Sequence, residues 1–112
     1  MKTNNLNNIK FSVSISVYLN DNSEHFKDAI NSIINQTLPA SEIVLVIDGP
    51  ITRNTRDIIQ NFEEIYSFFK VIELQKNLGH GNARRIGLEN CTNDLVALMD
   101  SDDISISNRF EM

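Results

Sequence analysis

A chain of 112 residues has room for one domain, and its 41% hydrophobic and 22% charged residues are the make-up of a soluble globular protein with enough apolar side chains for a core. No apolar run approaches the roughly 20 residues that a membrane-crossing helix needs, so no span is expected. A net charge of -5 disfavours a polyphosphate backbone as partner and argues against nucleic acid.

Residues 1–10 are Asn-rich, with only Leu6 and Ile9 as sizeable apolar side chains, and read as a flexible leader too polar for a signal peptide. The domain proper is expected over residues 11–112. Phe11 to Leu19 alternates apolar and small polar residues, the pattern of a first strand. Asn20 to Ser23 is a turn cluster, and Ser23 followed by Glu24 suits a helix start. Phe26, Ala29, Ile30, Ile33 and Ile34 then recur at helical spacing, and Pro39 ends the helix.

Glu42 to Asp48 holds five consecutive aliphatic residues, the mark of a strand buried on both faces of a parallel sheet. Asp48-Gly49-Pro50 breaks it. Ile58, Ile59, Phe62, Ile65, Tyr66 and Phe69 predict a second helix from Thr55 to Phe68, with a third short strand over Phe69 to Leu74. Gln75 to Gly81 is a loop, and Ala83, Ile86, Gly87 and Cys91 suit a third helix. Cys91, the one cysteine, cannot form an internal disulfide and reads as a buried small hydrophobe. Asp94 to Asp100 is a fourth strand. The alternation predicts an α/β fold: a mostly parallel sheet with right-handed crossovers and helices on both faces.

In such sheets ligands bind beyond the carboxyl ends of the strands. Those ends carry Tyr18 and Asn20, then Asp48, then Asn77 and Gly79, then Asp100-Ser101-Asp102-Asp103. Three carboxylates in four residues repel one another, and a cation is their natural partner. Oxygen ligands alone point to magnesium or manganese rather than zinc, with substrate phosphates completing the shell. The alternative is that these aspartates cap a helix over Ile104 to Phe110. Asp48 could accept a hydrogen bond from a ribose or base, or simply make an Asp-Gly turn. Arg84 and Arg85 open the third helix behind two glycines and could reach a phosphate or face solvent. The spacing matches neither a dinucleotide fingerprint nor a P-loop. His25 and His80 have no partners at zinc spacing, and no serine has the company of a hydrolase triad.

Five stretches in this order resemble the N-terminal half of a family 2 glycosyltransferase of the GT-A type. They are Ser-Val-Ser-Ile-Ser-Val-Tyr-Leu-Asn, Ala-Ile-Asn-Ser-Ile-Ile-Asn-Gln-Thr-Leu, Glu-Ile-Val-Leu-Val-Ile-Asp-Gly-Pro, Asn-Leu-Gly-His-Gly-Asn-Ala-Arg-Arg-Ile-Gly-Leu and Ala-Leu-Met-Asp-Ser-Asp-Asp. The resemblance implies a Rossmann-like nucleotide-sugar-binding half with a nucleotide site built from Val17, Tyr18, Asn20, Asp48, Asn77, Gly79, Arg84, Asp100 and Ser101. Within it Tyr18 and the nearby backbone would hold the base, Asp48 would hydrogen-bond the base, and Arg84 would help fix the nucleotide. Asp100, Asp102 and Asp103 would hold Mn²⁺ or Mg²⁺, Asp100 and Asp102 forming the Asp-x-Asp motif.

The implied reaction is metal-assisted, inverting transfer from a nucleotide-diphosphate sugar, a UDP-sugar in first place, to the hydroxyl of a glycan or lipid-linked acceptor, as in polysaccharide biosynthesis. The implied place is the cytoplasm, compatible with a peripheral position at the inner membrane. Ser16, Pro50 and Arg85 depart from the family pattern, where proline, serine and asparagine are usual. Family members run on into an acceptor-binding half that supplies a catalytic base, and this chain stops at Met112, nine residues after Asp103. The catalytic residue is therefore expected beyond Met112, and none is assigned within the chain. These 112 residues alone are expected to bind nucleotide without transferring sugar. Two alternatives stand beside this reading: a non-catalytic nucleotide-binding module that kept the fold, and a nucleotidyltransferase. The second lacks the glycine- and arginine-rich loop near its first strand.

Overall fold

The computed structural model describes residues 10–35 and 40–99. Four strands alternate with three helices: β1 (Ser12–Val17), α1 (Ser23–Ile34), β2 (Glu42–Asp48), α2 (Arg53–Ile65), β3 (Phe69–Leu74), α3 (His80–Glu89) and β4 (Val96–Met99). The strands form one parallel sheet in the order β3-β2-β1-β4. This is the α/β, Rossmann-like arrangement expected from the alternation of elements.

Side-chain alternation along β1 and β2 divides the sheet into two faces. Val13, Ile15 and Val17 with Ile43, Leu45 and Ile47 pack with Phe26, Ala29, Ile30 and Ile33 of α1 and with Ile59 and Phe62 of α2. The opposite face belongs to α3, and there the residues are small. A Cβ placed on Gly87 would fall on Ser14 Oγ and lie 3.4 Å from Val46 Cγ2, so α3 rides close over β1 and β2. The serines of β1 are thus a fitted seat for a helix carrying Ala83 and Gly87, both buried. With α1 and α2 on one face, β1, β2 and β3 step outward in one direction. The chain then returns across the other face through α3 to place β4 on the free side of β1, which keeps every crossover right-handed.

Several boundaries differ from the sequence expectation, each for a local reason. β1 stops at Val17 because Tyr18 and Asp21 close a turn: Asp21 N donates to Tyr18 O at 3.1 Å, and Tyr18 N to Asp21 Oδ2 at 3.0 Å. Asn22, not Ser23, caps α1, its Oδ1 accepting from His25 N at 3.0 Å. That helix ends at Ile34, and Pro39 lies outside the described residues. Thr52 caps α2 by accepting from Thr55 N at 3.3 Å, which starts the helix before Thr55. Cys91 follows α3 rather than belonging to it, and is half-buried rather than buried. Its thiol donates to Gly87 O at 3.2 Å, and burial, with the nearby Glu42 charge, pushes its pKa up, as for an inert thiol.

Candidate functional site

The strand order reverses beside β1: β2 follows on one side of it and β4 arrives on the other. At such a reversal a crevice opens beyond the carboxyl ends of the adjacent strands. The segment after β1 leaves at the edge toward which β4 runs as far as Met99.

Val17 is the last residue of β1 and is buried; Tyr18 and Asn20 follow it, exposed. Tyr18 is 41% exposed on a backbone pinned by Asp21. Asp21 was not singled out in the sequence reading, since its part is to hold the turn. An Asp three residues after a strand-end tyrosine is the signal that could have found it.

Asp48 ends β2 with only 4% of its surface exposed. Its Oδ1 accepts from Leu78 N at 2.7 Å, and its carbonyl oxygen from Asn77 Nδ2 at 3.3 Å. The carboxylate thus carries the loop after β3. Among the described residues only Oδ1 is engaged in this way. Gly49 lets the loop come this near: its φ is +89°, and a Cβ there would lie 2.5 Å from Asn77 N. Asp-Gly makes a turn here and also docks a neighbouring loop, so the two readings of Asp48 are not exclusive.

The docked loop is itself braced. Asn77 Oδ1 accepts from Gly79 N at 3.1 Å, and Asn82 Nδ2 donates back to Leu78 O at 2.8 Å. Gly79, with φ +97°, turns the chain into α3, whose first turn has no side-chain cap. An uncapped helix start at the carboxyl edge offers backbone N–H groups where an anion would be favoured. Arg84 lies exposed one turn further on. Arg85 next to it pairs with Glu89 at 3.2 Å. Asn82 and the Leu78 amide were missed by the sequence reading because their roles are backbone bracing.

Val17, Tyr18, Asn20, Asp48, Asn77 and Gly79 belong to the carboxyl-edge loops or to the strand ends beside them, while Arg84 lies within α3, a turn from its start. Asp100, Ser101, Asp102 and Asp103 lie outside the described residues. So does Met112, beyond which the catalytic base is expected. Among the described residues no group of three His, Cys, Asp or Glu side chains could hold a metal ion, and outside them falls the cation site expected at Asp100, Asp102 and Asp103. Their donor set, carboxylate oxygens alone, suits Mg²⁺ or Mn²⁺. An open hollow of about 520 Å³ between Lys10, Glu42, Phe68, Lys70 and Thr92 lies at the opposite, amino end of the sheet, away from these loops.

The sequence pattern of Glycosyl transferase family 2 matches residues 12–112. The chain belongs to glycosyltransferase family 2. It is 42% identical over 101 residues to the amylovoran biosynthesis glycosyltransferase AmsE of Erwinia amylovora, covering 90% of this chain and 38% of that protein. It is 37% identical over 102 residues to the UDP-Gal:alpha-D-GlcNAc-diphosphoundecaprenol beta-1,3-galactosyltransferase of Escherichia coli, covering 91% and 37%. The family 2 chain thus spans about two fifths of the length of these relatives. Among solved structures, S. aureus TarS 1-349 in complex with UDP superposes with a TM-score of 0.76 at 29% identity, covering 92% of this chain and 30% of that one. The same protein in complex with UDP-GlcNAc gives 0.74 at 30% identity. The fold is that of these GT-A enzymes.

Proposed function

We propose that the protein is a glycosyltransferase that binds a nucleotide-diphosphate sugar, a UDP-sugar in first place, at the carboxyl edge of β1, β2 and β4. The sugar passes to a hydroxyl of a glycan or lipid-linked acceptor with inversion at the anomeric carbon. The observation that carries the reading is the joint placement, at one strand-order reversal of a family 2 chain, of an exposed Tyr18 and a buried Asp48 with one carboxylate oxygen committed to the loop. Among relatives, one is a UDP-Gal transferase, and TarS forms complexes with UDP and with UDP-GlcNAc.

In this reading each side chain has one task. The Tyr18 ring stacks on the base, a use to which its exposed face and pinned backbone are suited. Asp48 Oδ2 accepts a base N–H while Oδ1 keeps the loop in place. The backbone at Asn77 and Gly79 borders the ribose, and the Arg84 guanidinium donates to a phosphate oxygen. Asp100, Asp102 and Asp103 would hold the divalent cation, with Asp100 and Ser101 also reaching the nucleotide. Held there, that cation would supply positive charge against the charge developing on the departing diphosphate. The acceptor and the base that deprotonates it are assigned to the part of a full-length family member that follows Met112, in a cytoplasmic protein compatible with a peripheral place at the inner membrane.

Titration of UDP into the protein by calorimetry, with and without Mn²⁺, tests this. Binding that requires Mn²⁺ is the expected result. Metal-independent binding would favour the non-catalytic nucleotide-binding module, and absent binding would contradict the donor reading.

A further inference from the structure

At the amino end of the sheet, far from the candidate site, three strands grip one connection. The segment from Asn90 to Leu95 carries the chain from α3 to β4. Glu42, the first residue of β2, points one carboxylate oxygen at it: Oε1 accepts from Thr92 N at 2.9 Å and from Thr92 Oγ1 at 3.2 Å. The same Oε1 accepts from Ser12 Oγ of β1 at 2.7 Å. Ser12 in turn accepts from Asn93 Nδ2 at 3.1 Å, and its backbone N donates to Leu95 O at 2.8 Å. Lys70 of β3 donates to Asn90 O at 3.1 Å.

Burial pushes the Glu42 carboxyl up, but the hydrogen bonds from Thr92 and Ser12, with the nearby Lys70 charge, more than offset this and leave its pKa below the ordinary range. It is therefore ionised at neutral pH, and hydrogen bonds to a charged acceptor are the stronger kind. Among the described residues β4 runs over Val96–Met99, paired with Ser12 to Ile15 of β1. The clasp sits directly before this pairing and sets where it begins.

We propose that Glu42 is a positioning residue for the donor site: by clamping Thr92 and Ser12 together it fixes the start and register of β4, and with it the strand end that leads into Asp100. The inference rests on the donor-site reading given above. Glu42 touches no substrate; it acts through β4, and displacements of about an ångström at a site so supported change affinity or rate by one to two orders of magnitude.

The test uses Glu42→Ala and Glu42→Gln in the full-length protein, with two readouts. Amide hydrogen exchange compares Leu95–Met99 with β3, and calorimetry measures UDP affinity in saturating Mn²⁺. In Glu42→Ala, exchange over Leu95–Met99 should rise about tenfold while β3 stays unchanged, and UDP affinity should fall roughly tenfold. Glu42→Gln, which keeps an acceptor oxygen, should restore most of both. Unchanged exchange at β4, or a rise shared equally by β3, overturns the proposal by making Glu42 an ordinary surface residue or a general stabiliser. A β4 that loosens while UDP affinity stays at the wild-type level overturns it too and leaves the donor reading standing. A wild-type protein that binds no UDP removes the donor reading itself. If Glu42→Ala does not fold, Ser12→Ala, which removes the two hydroxyl bonds and spares those from Thr92, must shift both readouts the same way to a smaller degree; no shift counts against the proposal.

Discussion

Asp48 holds a loop in the structure and takes a base N–H in the proposed donor site, and the two roles separate by chemistry. Its Oδ1 holds the Leu78 amide at 2.7 Å inside a nearly closed environment, a task that any acceptor oxygen could perform. Recognition of a base N–H through Oδ2 would draw on the negative charge as well, a kind of bond worth about 1.5–3 kcal/mol. Asp48→Asn should therefore unfold within about 0.5 kcal/mol of wild type in a denaturant titration, while UDP affinity falls at least about tenfold. Asp48→Ala should lose the binding and also about 1–2 kcal/mol of stability, because the Leu78 N–H is left without its partner. An Asp48→Asn protein that binds UDP like wild type would reduce Asp48 to a brace for the loop. The residue type and its strand-end place were legible in the sequence. The loop it carries was not, because a bond to a backbone amide thirty residues away leaves no mark on side-chain pattern.

At the scale of elements, the closest approach in the fold is α3 over β1. Gly87→Ala brings a gain of ~1 kcal/mol in helix propensity, but the added methyl meets Ser14 Oγ, and overpacking of this kind costs about 1–3 kcal/mol. The cost wins, so the single variant should melt lower by up to about 2 kcal/mol in equivalent stability. Gly87→Ala with Ser14→Ala removes the oxygen in the way, since the nearest remaining Ser14 atom is 3.6 Å from the new methyl. That double variant should recover more than the sum of the single effects, which thermal or denaturant unfolding of the four proteins would measure as a coupling. Additive effects would mean that α3 does not seat on Ser14.

The same interface shows what element-level reading can and cannot reach. β2 and β3 have the expected bounds, Glu42–Asp48 and Phe69–Leu74; burial specifies β2, while β3, at the sheet edge, is half-buried to exposed along its length. β1 was expected to Leu19, and the Tyr18–Asp21 turn ends it at Val17. Helix starts at Asn22 and Thr52 were decided by side chains that cap the first amides, which periodicity does not record. Serines 12, 14 and 16 are the small polar positions of the alternating first strand, and Ser12 and Ser14 are buried beneath α3 and its connection. Small size, not polarity, is what those positions require.

For the whole molecule, the order β3-β2-β1-β4 turns a row of strand ends into a crevice. The parallel alternation of strands and helices was legible from sequence, but the order was not, since nothing in the residues of β4 names the strand beside which it lies. Once β4 is paired to β1, the loops bearing Tyr18, Asp48 and Asn77 stand at one edge with the strand that leads into Asp100. A donor site there requires that edge to hold a nucleotide diphosphate through a cation shared with the aspartates that follow Met99. Its most direct test is the affinity for UDP in Mn²⁺ of a folded full-length protein carrying Asp100→Ala and Asp102→Ala. Loss of at least about a hundredfold, with no change in the thermal transition of the unliganded protein, is the predicted result. An affinity equal to wild type would contradict it.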